Sequence, residues 1–524
     1  MGIASVLAEN EHLRAEIAAR DAVLVQRDAL VAEQEAKIAA LTISNEDFAQ
    51  RLELIRIKSA ARQNQRYVEG PAPIPLPFAF TEPVPPPRLP EAEPAEATPE
   101  VATPKPRTPR PRRDLSQPST RPTRLIRCAI DPTAVCATCK GAMKVFGVDT
   151  TYRIEWVPGY FQTLAVERER CACPTCPKQG VFIAPPPNFA LAKTLCGNGL
   201  LARVLTDKFA DRIPLNLQVA RMKREGEEFS TGTLSGWVIL AASLLERIAL
   251  AIDKRLMAGS WLQADDTGFP VQDGTDGNLR KGRLWAVTDQ QEVRYHFTDT
   301  KQGKNPAAFL KDYAGKLLLV DGGSEFNAVV DQKGLLRAGC WSHLRTYFFD
   351  ARHHHPIEAQ LALGTLRDLF AIERSLVDAT LDVRREVRNR DVRPLVKGFF
   401  DWIVALRRTV RPTSILGDAL GYALNGRETF ERFLDHAELP MHNNRSELCL
   451  RGPVVGRKAW LFAGSEGGAK AAATMFTLVG RCAMQGIDPW AYLADVLSRI
   501  NDHPVNRVDA LTPLQWRLAK ESGV

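Results

Sequence analysis

Apolar residues recur at heptad spacing along the first stretch of the chain. Ile3, Ile17, Leu24, Val31, Ile38 and Leu52 fall at one seam position, and Val6, Leu13, Leu41, Phe48 and Ile55 at the other. Charged and polar side chains fill the remaining faces, the pattern of a coiled-coil helix. The spacing predicts such a helix over residues 1–57. Arg20, Arg27 and Gln34 interrupt its middle, and Asn10 and Asn45 sit at seam positions, where a buried amide costs stability but fixes register. The next segment cannot supply a core for it, so self-association into a homo-oligomer is expected.

That segment, residues 58–126, is rich in proline, including Pro85, Pro86 and Pro87, and poor in aliphatics. Proline fixes φ and removes amide donors, so an extended linker is expected. Its second half carries Lys105, Arg107, Arg110, Arg112, Arg113, Arg121 and Arg124 against Asp114 alone, a basic arm able to meet phosphates. Period-two alternation then appears at Tyr152, Ile154, Trp156, Phe161, Leu164 and Val166, which predicts a β-ribbon. Cys136-x2-Cys139 and Cys173-x2-Cys176 flank it. Two such knuckles can set four thiolates around a structural Zn²⁺, so residues 127–190 are expected to be a zinc-binding domain. Cys128 and Cys171 are spare thiols that leave the ligand set open.

Residues 191–258 read as helical. One short helix is predicted from about Leu215 to Arg224, with a turn past Gly226 and Ser230 capping a second helix that carries Leu234 and Trp237 inward. This is a helix-turn-helix pattern, though plain helical hairpins share it.

From residue 259 the pattern changes to short strands. Trp261 and Leu262 lead to Asp265. The run from Arg283 to Thr300 reads as two strands joined by a turn at Asp289–Gln291. Leu317–Val320 is a buried-type strand ending in Asp321, after which Gly322 and Gly323 allow a sharp turn. A strand into a helix follows near Cys340. Over a hundred largely helical residues later, Asn443 or Asn444 offers a helix cap, with Glu447 in the first turns. Three convergent carboxylates suit two divalent cations, which can clamp the attacking and leaving oxygens of a phosphoryl displacement. Taken singly, a strand-end Asp more often caps a turn and a helix Glu is more often solvated.

Bulk numbers narrow the class without deciding it. The chain has 524 residues, 45% hydrophobic, with formal net charge +8. That length suggests several domains, and the basic excess is compatible with a polyanionic partner. The start lacks the basic head and apolar run of a signal peptide, and no run of 18–20 uncharged apolar residues stands out. A soluble, cytoplasmic protein with no membrane partner is expected, and there its cysteines read as ligands or core residues.

The segments "QADDTGF", "KGRLWAV", "VDGGSEFNAV", "RAGCWSHLRTYFFDA", "NNRSELCLR", "GRKAWLFAGSEGGAKAAA" and "GIDPWAYLADVL" together resemble transposases of the bacterial insertion-sequence family numbered sixty-six. The resemblance extends over most of the length. It implies a multidomain α/β chain whose Mg²⁺-dependent Asp-Asp-Glu site consists of Asp265, Asp321 and Glu447 and holds two Mg²⁺. It also implies an RNase H-like core over 259–350 and 440–485, a helical insertion over 351–439 and a C-terminal helical segment over 486–524. The helix-turn-helix and zinc modules would bind the element's terminal inverted repeats, and target DNA would be the second substrate. Accessory proteins of the same element are further expected partners. The resemblance singles out Cys340-x2-His343, with His343 and Arg345 as residues that contact DNA or support the site; Arg457 and Lys458, after the third acid, are candidate phosphate contacts. Against the family pattern, Gln263 and Asp266 stand for His and Glu around the first acid, Leu448 for Arg after the third, and Met441-His442 for the acidic residue before the double Asn. A non-catalytic DNA-binding regulator and an RNase H-like nuclease that cuts without joining are the alternatives.

Overall fold

The computed structural model describes residues 3–63, 123–157, 159–176, 180–272 and 278–522. Most of the expected basic linker, residues 64–122, lies outside the described residues. The chain divides into two units, residues 1–114 and 115–524.

In the first unit, α1 (Ile3–Gln63) is one unbroken helix of 61 residues. Ile17, Leu24, Ile38 and Leu52 are exposed along it. Apolar surface left in water forgoes roughly 25 cal/mol per Å², which a second copy of the helix can recover. A fragment of residues 1–60 is therefore expected to be helical and dimeric or higher in analytical ultracentrifugation. A monomer at high micromolar concentration would refute this.

The second unit begins with a four-stranded sheet: β1 (Thr123–Cys128), β2 (Lys144–Val157), β3 (Tyr160–Ala172) and β4 (Phe182–Ile183). β1 starts at Thr123, so the last residues of the expected linker belong to the sheet. β2 and β3 form a long antiparallel hairpin, and β1 and β4 both pair with β3. Ile154 and Phe161 join the main core and Leu164 and Val166 a separate cluster with Phe189, so β3 is buried on both faces from Phe161 to Val166 rather than alternating as expected.

Three helices follow: α2 (Asn198–Phe209), α3 (Leu215–Arg224) and α4 (Thr231–Met257). α3 has the predicted bounds, and the turn after it places Gly226 at φ 90°, a conformation that glycine adopts at little cost. Ser230 caps α4 by accepting the Thr233 N–H at 3.0 Å. The buried Arg203 guanidinium reaches back from α2 to both oxygens of Glu225, 3.0 Å each, and ties the end of α3 to it. By length and composition α4 is apolar enough to cross a membrane, which the sequence reading missed. In the fold its Leu234, Trp237, Leu245, Ile248 and Ile252 are core residues, continuous with α2, the central sheet and the C-terminal helices.

The central sheet comprises β5 (Trp261–Gly268), β8 (Arg283–Thr288), β9 (Val293–Thr298), β10 (Leu317–Val320) and β11 (Leu336–Gly339). The short β6 (Val271–Gln272) and β7 (Leu279–Arg280) form a separate pair. The central order is β11-β10-β5-β8-β9. β8 runs antiparallel to both neighbours, and β5, β10 and β11 are parallel. α5 (Lys304–Phe309) and α6 (Asn327–Lys333) connect the later strands, and α7 (Trp341–Ala351) follows β11.

A helical segment then departs from the sheet: α8 (Pro356–Ser375), α9 (Leu381–Val387), α10 (Arg393–Arg407), α11 (Ile415–Asn425) and α12 (Arg427–Glu431). It has its own centre. The buried Trp341 ring of α7 packs against Phe399, Phe400, Phe430 and Phe433. The fully buried Arg388 bonds both oxygens of Glu373 and the carbonyls of Phe433, His436 and Leu439. A buried charge is tolerable only with such complete pairing.

The chain returns to the sheet with α13 (Asn444–Trp460) and α14 (Glu466–Met484), then ends in α15 (Pro489–Arg499) and α16 (Pro513–Glu521). α13 packs across β5 and β8, and α14 packs on β9 and α4.

Candidate active site

The three candidate acids come from three elements that the central sheet brings together. β10 lies parallel beside β5 with Leu319 opposite Gln263. Two residues further along each strand stand Asp321 and Asp265. Just past β10, Asp321 Oδ1 accepts the Gly323 N–H at 3.0 Å, which shapes the turn. A Cβ at Gly322 would lie 2.9 Å from the Tyr422 ring, so only glycine fits there without displacement. Arg337 on β11 holds the same turn from below, donating to the carbonyls of Asp321 and Gly323 and to Asn327 Oδ1.

Glu447 lies in the first turn of α13. Asn443 occupies the capping position, but its side chain makes no capping bond. The acceptor comes instead from the sheet: Gln263 Oε1 receives the Ser446 N–H at 3.3 Å, while Gln263 Nε2 donates to the His442 carbonyl at 3.2 Å. One buried amide, two residues before Asp265, thus fastens the start of α13 to β5 and sets Glu447 over the strand tips. The Asn443 N–H points to Cys340 Sγ, 3.4 Å away, which joins the same junction to the start of α7.

Burial raises the Asp265 pKa to about 7, and the negative charges of Asp321, Glu447 and Asp266 add to the rise, although the Asp266 N–H bond to Asp265 Oδ1 opposes it. Carboxylates that repel one another in a partly desolvated cleft are what a hard divalent cation relieves, and their oxygens are the donors Mg²⁺ prefers. Asp265 and Glu447, with Thr267, Asn444 and Arg451, line a cleft of about 570 Å³.

Asp266 also borders that cleft, but its charge is committed elsewhere. Arg283 binds it across the β5–β8 pair, and Lys301 Nζ lies 3.3 Å away while also reaching Glu325 at 3.0 Å. His343 on α7 places Nδ1 3.7 Å from Glu447 Oε1. A hydrogen bond with Cys340 and the negative charges of Glu447 and Asp321 push its pKa up to about 9 against desolvation, which favours the protonated ring. The ligand atoms of Cys340, His343 and Glu447 lie within 4.8 Å of one another.

The other candidates divide. Arg345 is exposed on α7, with its guanidinium 5.7 Å from the Phe349 ring centre. Lys458 is exposed in the last turn of α13. Arg457 is not a free surface cation: it donates to the Gly268 carbonyl and ties the end of α13 to the end of β5. Gln263, Arg337 and the Arg283–Lys301 clamp escaped the sequence reading. The only hint of them was the departure from the family pattern at positions 263 and 266.

The cysteines form a second candidate site at the open end of the long hairpin. Cys136 and Cys139 precede β2, Cys173 and Cys176 follow β3, and all four sulfurs lie within 4.8 Å of one another. Cys139 and Cys173 sulfurs are 3.3 Å apart. The N–H groups of Cys139 and Thr138 lower the Cys136 pKa to about 6, as a metal-binding knuckle requires. Cys171 is buried in β3 and Cys128 is half-buried at the end of β1; neither joins the group.

Comparison with known proteins gives these sites a context. The chain belongs to a transposase family. That family is the IS66 family: residues 193–471 match the description "Transposase IS66 family" and residues 477–514 match "IS66 C-terminal element". Among similar proteins of Sinorhizobium fredii (strain NBRC 101917 / NGR234) are two described as uncharacterized. Protein y4hP is 32% identical over 426 residues, 76% of each chain. Protein y4qI is 30% identical over 403 residues, 73% of this chain and 74% of its own.

Proposed function

We propose that the chain is the DNA transposase of an insertion sequence, with Asp265, Asp321 and Glu447 as one metal-dependent site that cuts the element's ends and joins them to target DNA. The observation that carries this is the placement of three acids from β5, the end of β10 and α13 at one corner of the sheet, beside His343. An RNase H-like reading of the core is supported by the sheet, in which three sequential antiparallel strands are followed by two strands parallel to the first. The helical segment between α7 and α13 is then an insertion in that core.

Two bound Mg²⁺ would supply charge neutralisation at the phosphate and activation of the attacking oxygen. The chain's own residues set the geometry. Asp265 and Asp321 present oxygens from adjacent strand ends, and Gln263 holds Glu447 over them. A protonated His343 beside Glu447 would add positive charge where the phosphate is attacked. The knuckle sulfurs hold a structural Zn²⁺. The first turn of α4 and the basic arm contribute to binding the element's ends, and α1 joins copies into an oligomer. The protein works in the cytoplasm on nucleoid DNA, with accessory proteins of the same element as further partners.

The test is incubation with labelled element ends and Mg²⁺, scoring both cleavage and strand transfer. Cleavage without joining would favour a nuclease, and end binding without cleavage would favour a regulator. Asp266→Ala is expected to retain partial cleavage, because that carboxylate is held by Arg283 and Lys301. Leaving Arg283 without its partner is expected to cost about 1–3 kcal/mol of stability, read by thermal unfolding. If Asp266→Ala is dead while Asp265→Ala still cuts, the first acid is Asp266.

A further inference from the structure

A second hollow, of about 1310 Å³, lies between α7 and α8 and is more than twice the volume of the acid-lined cleft. Arg345, Arg352, Arg367 and Arg374 line it, and among the described residues no acidic one does. Arg345, Arg367 and Arg374 are exposed. Arg367 pairs with its neighbour Asp368, but both are well exposed, and water leaves such a pair weak. Arg352 lies over the Phe349 ring at 3.5 Å. Apolar side chains line it together with these cations: Ile357 and Leu361, one turn apart on α8, are 71% and 57% exposed.

Two lining residues connect the hollow to the elements that carry the acids. Ser342 lines it and is the neighbour of His343, which reaches Glu447. Phe370 lines it and stacks on the His442 ring with centroids 5.9 Å apart. The His442 carbonyl is the one that Gln263 binds beside Asp265.

We propose that this hollow carries a single DNA strand, the one that runs on from the bond cut at the acids; the proposal rests on the DNA-cutting reading above. The lining guanidinium groups suit a chain of phosphates, and the exposed aliphatic side chains among them suit the sugar and base faces of an unpaired strand. A duplex fits poorly, because it turns its backbone outward and would lay phosphates on Ile357 and Leu361 while its bases stayed stacked inside.

The test uses the full chain without added divalent cation and compares a blunt duplex with the same duplex bearing a single-stranded tail. The wild-type chain binds the tailed probe more tightly. Arg367→Ala/Arg374→Ala loses most of that margin. Its salt slope on the tailed probe falls by roughly 0.7 for each phosphate that is no longer neutralised, and its binding to the blunt probe is unchanged. Ile357→Ser, which keeps the charges, weakens tailed binding without changing the slope. Equal weakening of both probes, or no change in either, would overturn the proposal in favour of a duplex contact or an idle surface. A tail preference that depends on these arginines in a chain that never cuts DNA would leave the strand site standing and remove the catalytic reading. Cleavage with no tail preference would do the reverse.

Discussion

Replacing Asp265, Asp321 or Glu447 by Ala is expected to abolish cleavage and strand transfer together while DNA binding persists. Both reactions are phosphoryl displacements at one site, so removing any acid removes both. A loss of several kcal/mol of transition-state stabilisation corresponds to roughly a thousandfold or more in rate. Asp→Asn should be nearly as damaging, since the amide keeps the shape and loses the charge that holds a cation. Binding should hold or improve, because a negative charge near phosphate disappears. A Glu447→Ala chain that cuts at the wild-type rate would end the three-acid mechanism.

The raised pKa of Asp265 adds a signature with a definite sign. Its folded value near 7 exceeds the usual 3.8, so the folded chain holds this proton more tightly than the unfolded one. The stability that this provides is fully present below about pH 4 and is lost as pH rises through about 7. Metal-free Asp265→Asn is therefore expected to melt higher than the parent at pH 8, by an amount bounded at about 4 kcal/mol. The Mg²⁺ concentration needed for cleavage should climb as pH falls below about 7, because the proton competes for the same oxygens. A melting temperature unchanged by the amide, with a flat metal requirement from pH 6 to 8, would contradict this.

Loss of zinc is the second large effect. Protein prepared without added metal is expected to contain one zinc per chain, bound through Cys136, Cys139, Cys173 and Cys176. Binding free energies of about 10 kcal/mol or more are typical of structural zinc, so Cys139→Ser or a strong chelator should be severe. The damage should be local. The knuckles close the far end of the hairpin, whereas Ile154 and Phe161 at its near end are packed with α2 in the main core. Hydrogen exchange should accelerate around residues 128–150 and 165–176 while the near end stays protected. No zinc, with four freely titratable thiols in the native chain, would dispose of the site.

Much of this was legible because the decisive signals are local. Leu317–Val320 reads as a strand with Asp321 at its tip because four consecutive apolar residues run into two glycines. The Asp289 turn is legible because its carboxylate accepts the Gln291 and Glu292 N–H groups, both at 2.6 Å, a bond that needs only sequence neighbours. α3 and its capped successor follow from Gly226 and Ser230 in the same way. The parts that stayed hidden are contacts between distant segments. Nothing near Asn443 says that its helix is capped by Gln263 from a strand 180 residues earlier. Nothing near Arg457 says that its charge is spent on Gly268. The four arginines of the hollow are scattered along α7 and α8, and only the folding of one helix against the other makes them a set. The apolar run of α4, beyond its cap, marks a helix that several later elements surround.

That last feature bears on what damaged copies of such an element produce. The apolar side chains of α4 are covered by β9 and α14, and α14 ends at Met484. A gene interrupted after the codon for Met257 but before α14 is complete yields a polypeptide whose long apolar helix has lost cover. Such a product should be insoluble or rapidly degraded, so decayed copies are poor sources of a stray repressor that would compete for the ends of intact ones.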